Sequence, residues 1–477
     1  MTDGTERLLL TPDGGPRDRI VGFETEYGLS TRDRSGKYNE LDTIILASRG
    51  MRQFGSAKNG LMQYKDTGER IYLDVGDHPE YSTAEEISFT DAADRVTEGH
   101  LKMARVYAMA AVLLSADKSI HTEIGSVDLI ANTCSPDGQS WASHESYLTR
   151  RRLSPTEYTT ALAVHHLSRI VWSGAGKVSK NPHHYRFELS EKAEHIFELT
   201  SLTTTRNRAL VNERDEALAD AEIYRRIHVI TGESVFSPFV NALRLASGSI
   251  VLRACEIGVN FEDLKPVWPT RAMREISADP TLKATVEMED GRHLTGIDLQ
   301  RAIAERSIAA TMERDYLTAQ EQEWGQKWLE ILDDLERDPL GCAKKLDWVV
   351  KQKRIESALQ AQGGSSRESD IAIAWKAVLD YHRLLPAEGD GMQLLRKGFY
   401  DGSPDFDVLE NGLALPPTRG GLRGNTLFRL HSLGLDPSAD WKGIKAGSRD
   451  SLMYRVVLND PYQTDSERIE RLLQMVG

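Results

Sequence analysis

The sequence predicts an α+β fold, because strand-like and helix-like patterns are mixed along the chain without a regular strand–helix–strand rhythm. Short alternating runs at 20–29, 70–75, 185–190, 194–201 and 224–231 supply the strands. Longer periodic stretches at 155–172, 236–257, 298–336, 341–361 and 369–386 supply helices, and no internal repeat of 20–50 residues is present.

In the first strand, Ile20 to Leu29, alternation puts Phe23, Thr25 and Tyr27 on one face and Glu24 and Glu26 on the other. The run Arg70 to Val75 repeats the arrangement: Ile71, Leu73 and Val75 face a core, while Arg70, Tyr72 and Asp74 face away. Gly76-Asp77-His78-Pro79 reads as a turn, and Glu80 to Thr83 resume an extended path. A helix follows to about Ala116, with Asp91 or Thr90 as N-cap and Val96, Met103, Tyr107, Ala111 and Leu114 near a 3.6-residue period. In 236–257, Val240, Leu243, Ile250 and Ala254 form one stripe suited to packing on a sheet. Thr464 to Leu473 predicts a terminal helix.

At 477 residues the chain exceeds the usual single-domain size. Residues 1–18, polar and rich in Gly and Pro, are expected as a flexible leader. A large domain over 19–400 and a small one over 401–477 follow, because the stretch around Asp401-Gly402-Ser403-Pro404 and Pro416-Pro417 has boundary composition. A net charge of −13 argues against wholesale nucleic-acid binding, which draws on clustered cations. The three cysteines are widely spaced, so neither a disulfide framework nor a CxxC zinc site is written here. The Leu8-Leu9-Leu10 run is shorter than a secretory signal needs, and no window reaches the roughly 18 apolar residues of a membrane span. A soluble, cytoplasmic protein is expected.

Hard divalent cations take oxygen ligands and often bridge to phosphates, so carboxylates gathered on strand faces are candidates to hold one. Glu24, Glu26, Asp74 and Glu80 are the candidates, each on or beside a strand whose other face is apolar. Alternating acids on a strand are equally the pattern of a plain solvated face. Arg70, Tyr72 and Asp74 add a phosphate-pairing cation, a phenol and a candidate base on one face. Arg206 and Arg208 in Thr203 to Arg208, with Arg225 and Arg226, offer guanidiniums for phosphate or carboxylate; surface pairs with Glu213, Asp215 and Glu216 fit the same composition. Gly174-Ala175-Gly176-Lys177 lacks the spacing of a phosphate loop and reads as a turn. The pairs His165-His166 and His183-His184 point apart on any regular element, so they read as packing or surface residues.

Taken together, Gly22-Phe23-Glu24-Thr25-Glu26-Tyr27-Gly28, the block Arg70 to Glu85, and Thr204-Thr205-Arg206 through Asn212 to Glu216 resemble the Pup ligase and Pup deamidase family. Ala193-Glu194-His195-Ile196, Tyr224 to Ile230, Leu346 to Lys351 and Asp440-Trp441 extend the resemblance in the same order over nearly the whole chain. It implies a glutamine-synthetase-like fold, a curved antiparallel sheet cradling ATP and Mg2+ with a small C-terminal domain. By matching motif, Glu24, Tyr72 and Glu80 would sit at magnesium, with Glu26 beside them. Arg70, Thr83 and Trp441 would contact ATP, with Arg206 as a further candidate. Asp74 would be the catalytic base.

The implied reaction joins the C-terminal glutamate side chain of a Pup-like modifier to lysines of target proteins through a γ-glutamyl phosphate. Only 43 residues separate Glu26 from Arg70, without the long insertion of the deamidases, so the ligase is favoured. The chain departs from the family where Asn-Asn-Thr-Asp becomes Ala131-Asn132-Thr133-Cys134 and Gly-Cys-His-Glu-Asn-Tyr becomes Ala142-Ser143-His144-Glu145-Ser146-Tyr147. A deamidase-type hydrolase, a small-molecule carboxylate–amine ligase and a non-catalytic binding module are the competing readings.

Overall fold

The computed structural model describes residues 4–52, 62–74, 76–117, 124–135, 138–179, 186–361, 367–447 and 453–476. Val75 and the His183-His184 pair lie outside the described residues. Six strands make the principal sheet: β1 (Val21–Glu26), β2 (Met62–Tyr64), β3 (Arg70–Leu73), β4 (Pro79–Ser82), β5 (Ser143–Arg150) and β6 (Tyr224–Val229). Their order is β6-β5-β1-β4-β3-β2 and every pairing is antiparallel. This is the predicted α+β architecture, with helices gathered against one side of the sheet.

Alternation along the strands decides which face is which. Phe23, Tyr147, Ile227 and Val229 enter the largest hydrophobic cluster. The opposite face carries Glu24 beside Ser82 and His144, Glu26 beside Glu80, and Tyr72 beside Glu80, each pair set by register.

Helices α1 (Phe89–Ala116), α2 (Pro155–Ser168), α3 (Pro238–Glu256), α4 (Gly296–Met312) and α5 (Ala319–Arg337) build the core under the sheet. The one-stripe expectation for α3 is corrected: all 19 of its residues are buried, because α1, α2, α4 and α5 surround it. A helix enclosed on all sides buries polar groups only when they are paired. Accordingly Arg244 of α3 and Arg169 grip Glu145 of β5 at 2.7 Å each, and Tyr147 Oη donates to Arg244 O at 2.9 Å.

Several boundaries differ from expectation for local reasons. Helix α1 starts two or three residues earlier, because Ser88 accepts from the Asp91 N–H and caps it. The stretch 155–172 divides into α2 and a short turn at Ile170–Ser173. The stretch 298–336 is two helices, interrupted at Asp315 with φ +51° and restarted by a capping box between Thr318 and Glu321. The 341–361 helix begins at Asp347, and 369–386 becomes a helix to His382 followed by a strand, Arg383–Leu385.

The expected flexible leader is instead tied down over its described part. Leu9 is buried, its N–H donates to Tyr316 Oη at 2.7 Å, and the carbonyls of Leu9 and Arg17 accept from Arg253. A fully buried guanidinium needs acceptors on every side, and the leader backbone supplies two of them.

Near the C-terminus, α6 (Arg419–Ser432), the strands Ser438–Asp440, Gly443–Gly447 and Met453–Val457, and the helix Glu467–Val476 share a separate hydrophobic cluster. Phe406 and Leu409 pack elsewhere, with Tyr400 and Leu395 of the larger body, so residues 401–413 do not share this cluster. The small unit is held by a charge clamp. Glu85 lies 2.6 Å from Arg419 and 2.7 Å from Arg423, and the Thr418 hydroxyl donates to Glu85 O at 2.6 Å. Beside it the backbones meet directly: a Cβ on Gly68 would lie 2.2 Å from Gly420 O, and one on Gly424 would lie 2.6 Å from Asp66 O.

Burial alone would favour a neutral Glu85, but the guanidiniums of Arg423 and Arg419 outweigh it and hold its pKa down to about 2. A depressed carboxylate contributes stability above its ordinary value of 4.5 and loses it as pH falls toward 2. Attachment of the small unit should therefore weaken through that window, read by limited proteolysis against pH. Glu85→Gln leaves two buried guanidiniums without their anion and should cost about 3–5 kcal/mol of stability in urea unfolding at neutral pH.

Candidate active site

Strand register brings the predicted carboxylates together. Carboxylate oxygens of Glu26, Asp74 and Glu80 all lie within 4.8 Å of one another. Glu24, one pleat away, is met by Arg226 at 2.7 Å and by His144 and His228 at 3.4 Å each. The four acids thus form two adjacent groups rather than a single one. The Tyr72 hydroxyl donates to Glu80 Oε1, and Ser82 donates to Tyr72 at 3.3 Å. The Arg70 guanidinium stacks 3.9 Å from the centre of the Tyr72 ring.

The two groups differ electrostatically. Burial pushes Glu24 toward the neutral acid, but Arg226, helped by His144 and His228, overcomes it and holds the carboxyl well below its ordinary range. Glu80 is driven the other way: burial, then the charges of Glu24 and Glu26, push it well above that range, and the Tyr72 hydrogen bond only partly offsets them. Burial, then the charges of Glu80 and Glu24, push Tyr72 well above the ordinary phenol range and keep it neutral. Sequence reasoning named Arg226 only as one of several guanidiniums and missed His144 and His228. The alternation of Tyr224 to Val229 puts Arg226 and His228 on one face, but only the β5–β6 pairing brings that face to Glu24.

Asp74 sits just beyond β3, in a tight turn closed by its N–H to His78 O at 2.9 Å and by Asp77 N–H to Asp74 O at 3.1 Å. Gly76 and Asp77 both take positive φ, +89° and +61°, which a turn this short requires. The turn therefore points Asp74 at the group that β1 and β4 present.

Next to Glu24 opens a pocket lined by Val21, Gly22 and Leu148. Thr83, Arg226, Arg419 and Trp441 line it as well, so the small unit contributes directly. Trp441, which residue pattern alone gave no means of choosing, is fixed by Arg423 5.0 Å from its ring centre. Thr83 Oγ1 also accepts from Phe23 N–H at 3.0 Å. Arg206 is exposed in the 202–208 loop and does not line this pocket. Arg208, two residues on, turns inward, donating to Thr204 O at 3.0 Å and to Ser140 O. Lys177 of the Gly174–Lys177 turn pairs with Glu194 at 2.7 Å, away from the pocket-lining residues. His165 and His166 are buried packing residues of α2, as their adjacency predicted.

An oxygen-only donor set, one member of which is forced toward protonation by its neighbours, suits a hard divalent cation, whose charge would relieve that repulsion. Among the described residues, no helix is long and apolar enough to cross a membrane.

Comparison with known proteins identifies the family of the whole chain. The family model described as Pup-ligase protein matches residues 19–445. The Pup--protein ligase of Acidimicrobium ferrooxidans is 34% identical over 466 residues, covering 96% of this chain and 99% of that protein. That of Sanguibacter keddieii is 33% identical over 472 residues, with the same coverage. Among solved structures, the complex between prokaryotic ubiquitin-like protein Pup and its ligase PafA superposes with TM-score 0.84 at 26% identity, covering 96% of this chain and 92% of that one. PafA in complex with ADP superposes with TM-score 0.76, covering 90% and 93%. The chain belongs to the Pup ligase family.

Proposed function

We propose that this chain is an ATP-dependent ligase that joins the C-terminal glutamate side chain of a Pup-like protein to lysines of target proteins. One observation supports it most: the acidic face of the sheet adjoins a pocket walled by Thr83 and Trp441. Its relatives are Pup--protein ligases along nearly their whole length, and PafA has been seen with both Pup and ADP.

The nucleotide occupies the pocket beside Glu24, with Trp441 and Thr83 against it and Arg70 near its phosphates. Glu24, Tyr72, Glu80 and Glu26 hold magnesium, which supplies charge neutralisation for the triphosphate when bound. The modifier's γ-carboxylate attacks the γ-phosphorus; the bond to the bridging oxygen breaks, giving γ-glutamyl phosphate and ADP. Asp74 takes a proton from the incoming lysine ammonium, whose freed amine attacks the acyl carbon and expels phosphate. A short turn holds Asp74 still, which shortens the search for that proton-transfer geometry. The protein works in the cytoplasm, in keeping with its three free, buried cysteines.

Incubation with ATP, magnesium and a Glu-ending Pup-like protein should give mass-shifted conjugates and ADP; ammonia release from a Gln-ending form without net ATP turnover would favour the hydrolase instead. Asp74→Asn should keep nucleotide binding and lose conjugate formation by about 10²–10⁴-fold in single-turnover assays. Because Glu80 holds its proton above the ordinary carboxylate range, magnesium binding to the free protein should tighten as pH rises and release protons. Calorimetry in buffers of different ionisation heat reads that release, and Glu80→Gln should diminish it.

A further inference from the structure

The position of Asp74 depends on more than its own turn. His78, which closes that turn with its carbonyl, lies with its ring stacked on Trp141 at 4.8 Å between centroids and 30° between planes. His78 Nδ1 is also 3.0 Å from Tyr27 O. Trp141 is 93% buried by its surroundings, with 7% of its surface exposed, and its indole packs so closely on Gly28 that a Cβ there would lie 3.2 Å from the ring. Thus Trp141 forms a wall against which the His78 ring rests.

Trp141 in turn is not left to a free loop. Lys192, wholly buried, donates to Trp141 O at 2.8 Å and to Ser140 Oγ at 3.2 Å. Its neighbour Glu191 takes the other end of the same loop, accepting from Thr133 N–H at 2.7 Å. The backbone carrying both is gripped by Glu233, which accepts from Glu191 N–H at 3.0 Å. The residue after the tryptophan, Ala142, donates to Glu26 Oε2 at 3.2 Å, so the same segment touches a second acid of the site. A buried lysine side chain away from bulk water is fixed only by acceptors, and here Trp141 O and Ser140 Oγ supply them.

We propose that Trp141, braced by Lys192, is a positioning residue that sets Asp74 for proton removal from the incoming lysine. It acts through His78 and does not line the pocket beside Glu24. The inference rests on the reading of Asp74 as the base.

The test compares Trp141→Ala, Trp141→Phe and Lys192→Met with Asp74→Asn in steady-state conjugation. Trp141→Ala should lower kcat by about ten- to a hundredfold, the scale of a small misplacement of a catalytic group, and leave the KM for ATP within about twofold. Trp141→Phe keeps a ring on His78 and should restore kcat to within about threefold of the native value, while Lys192→Met should resemble the alanine variant. A native kcat in Trp141→Ala overturns the proposal. So does a KM for ATP that rises as much as kcat falls, a variant that no longer folds, or a phenylalanine variant no better than alanine. Inactive Asp74→Asn beside fully active Trp141→Ala removes only the brace and leaves Asp74 as the base; active Asp74→Asn removes the role of Asp74 and overturns the proposal with it.

Discussion

Repulsion among carboxylates held on one face of a sheet is the constraint to which the rest of the molecule answers. Strand register brings Glu24, Glu26 and Glu80 together and a tight turn adds Asp74, and buried like charges are costly unless something compensates them. Part of the compensation is internal: Arg226 neutralises Glu24, and Glu80 keeps a proton. The remainder is the attraction that this face exerts on cations. A site that is uncomfortable when empty is primed to bind, and the buried core beneath it is what prevents the strands from separating to relieve the strain.

That rigidity has a visible origin. Helix α3 is enclosed by four others, and Glu145 ties β5 to it through Arg244 and to the end of α2 through Arg169. These pairs lie wholly inside, where breaking one partner leaves an uncompensated charge. They lock the strand that bears His144 without taking any part in the acidic face themselves.

How much of this was legible before the fold was known depends on the range of the interaction. Alternation within β1 and β3 names Glu24, Glu26, Arg70 and Tyr72 as a shared face, since side-chain direction in a strand is a local property. The N-cap at Ser88 was missed by a few residues because Ser88, Thr90 and Asp91 are all competent caps and packing selects among them. His144 and His228 could not be read as neighbours of Glu24: they come from strands separated by long connections, and nothing in their own segments states which strand each will pair with. The leader misled for a similar reason, because its polar composition concealed the acceptors that Arg253 needs. Arg206 was preferred over Arg208 by motif position alone, and the loop's conformation turns the second inward. Trp441 entered through family resemblance, and its wall of the pocket exists only once the small unit has docked.

The contact between Gly68 and Gly420 contains no side chains at all. Elsewhere an interface can absorb a substitution by a change of rotamer, but where peptide planes abut there is nothing to rotate. The gap between the small unit and the sheet beside the Glu24 pocket is therefore set by covalent geometry, like the spacing of a machined shim. Drift in the surrounding sequence can change the chemistry of either wall, yet it leaves their separation, and hence the size of molecule admitted, unchanged.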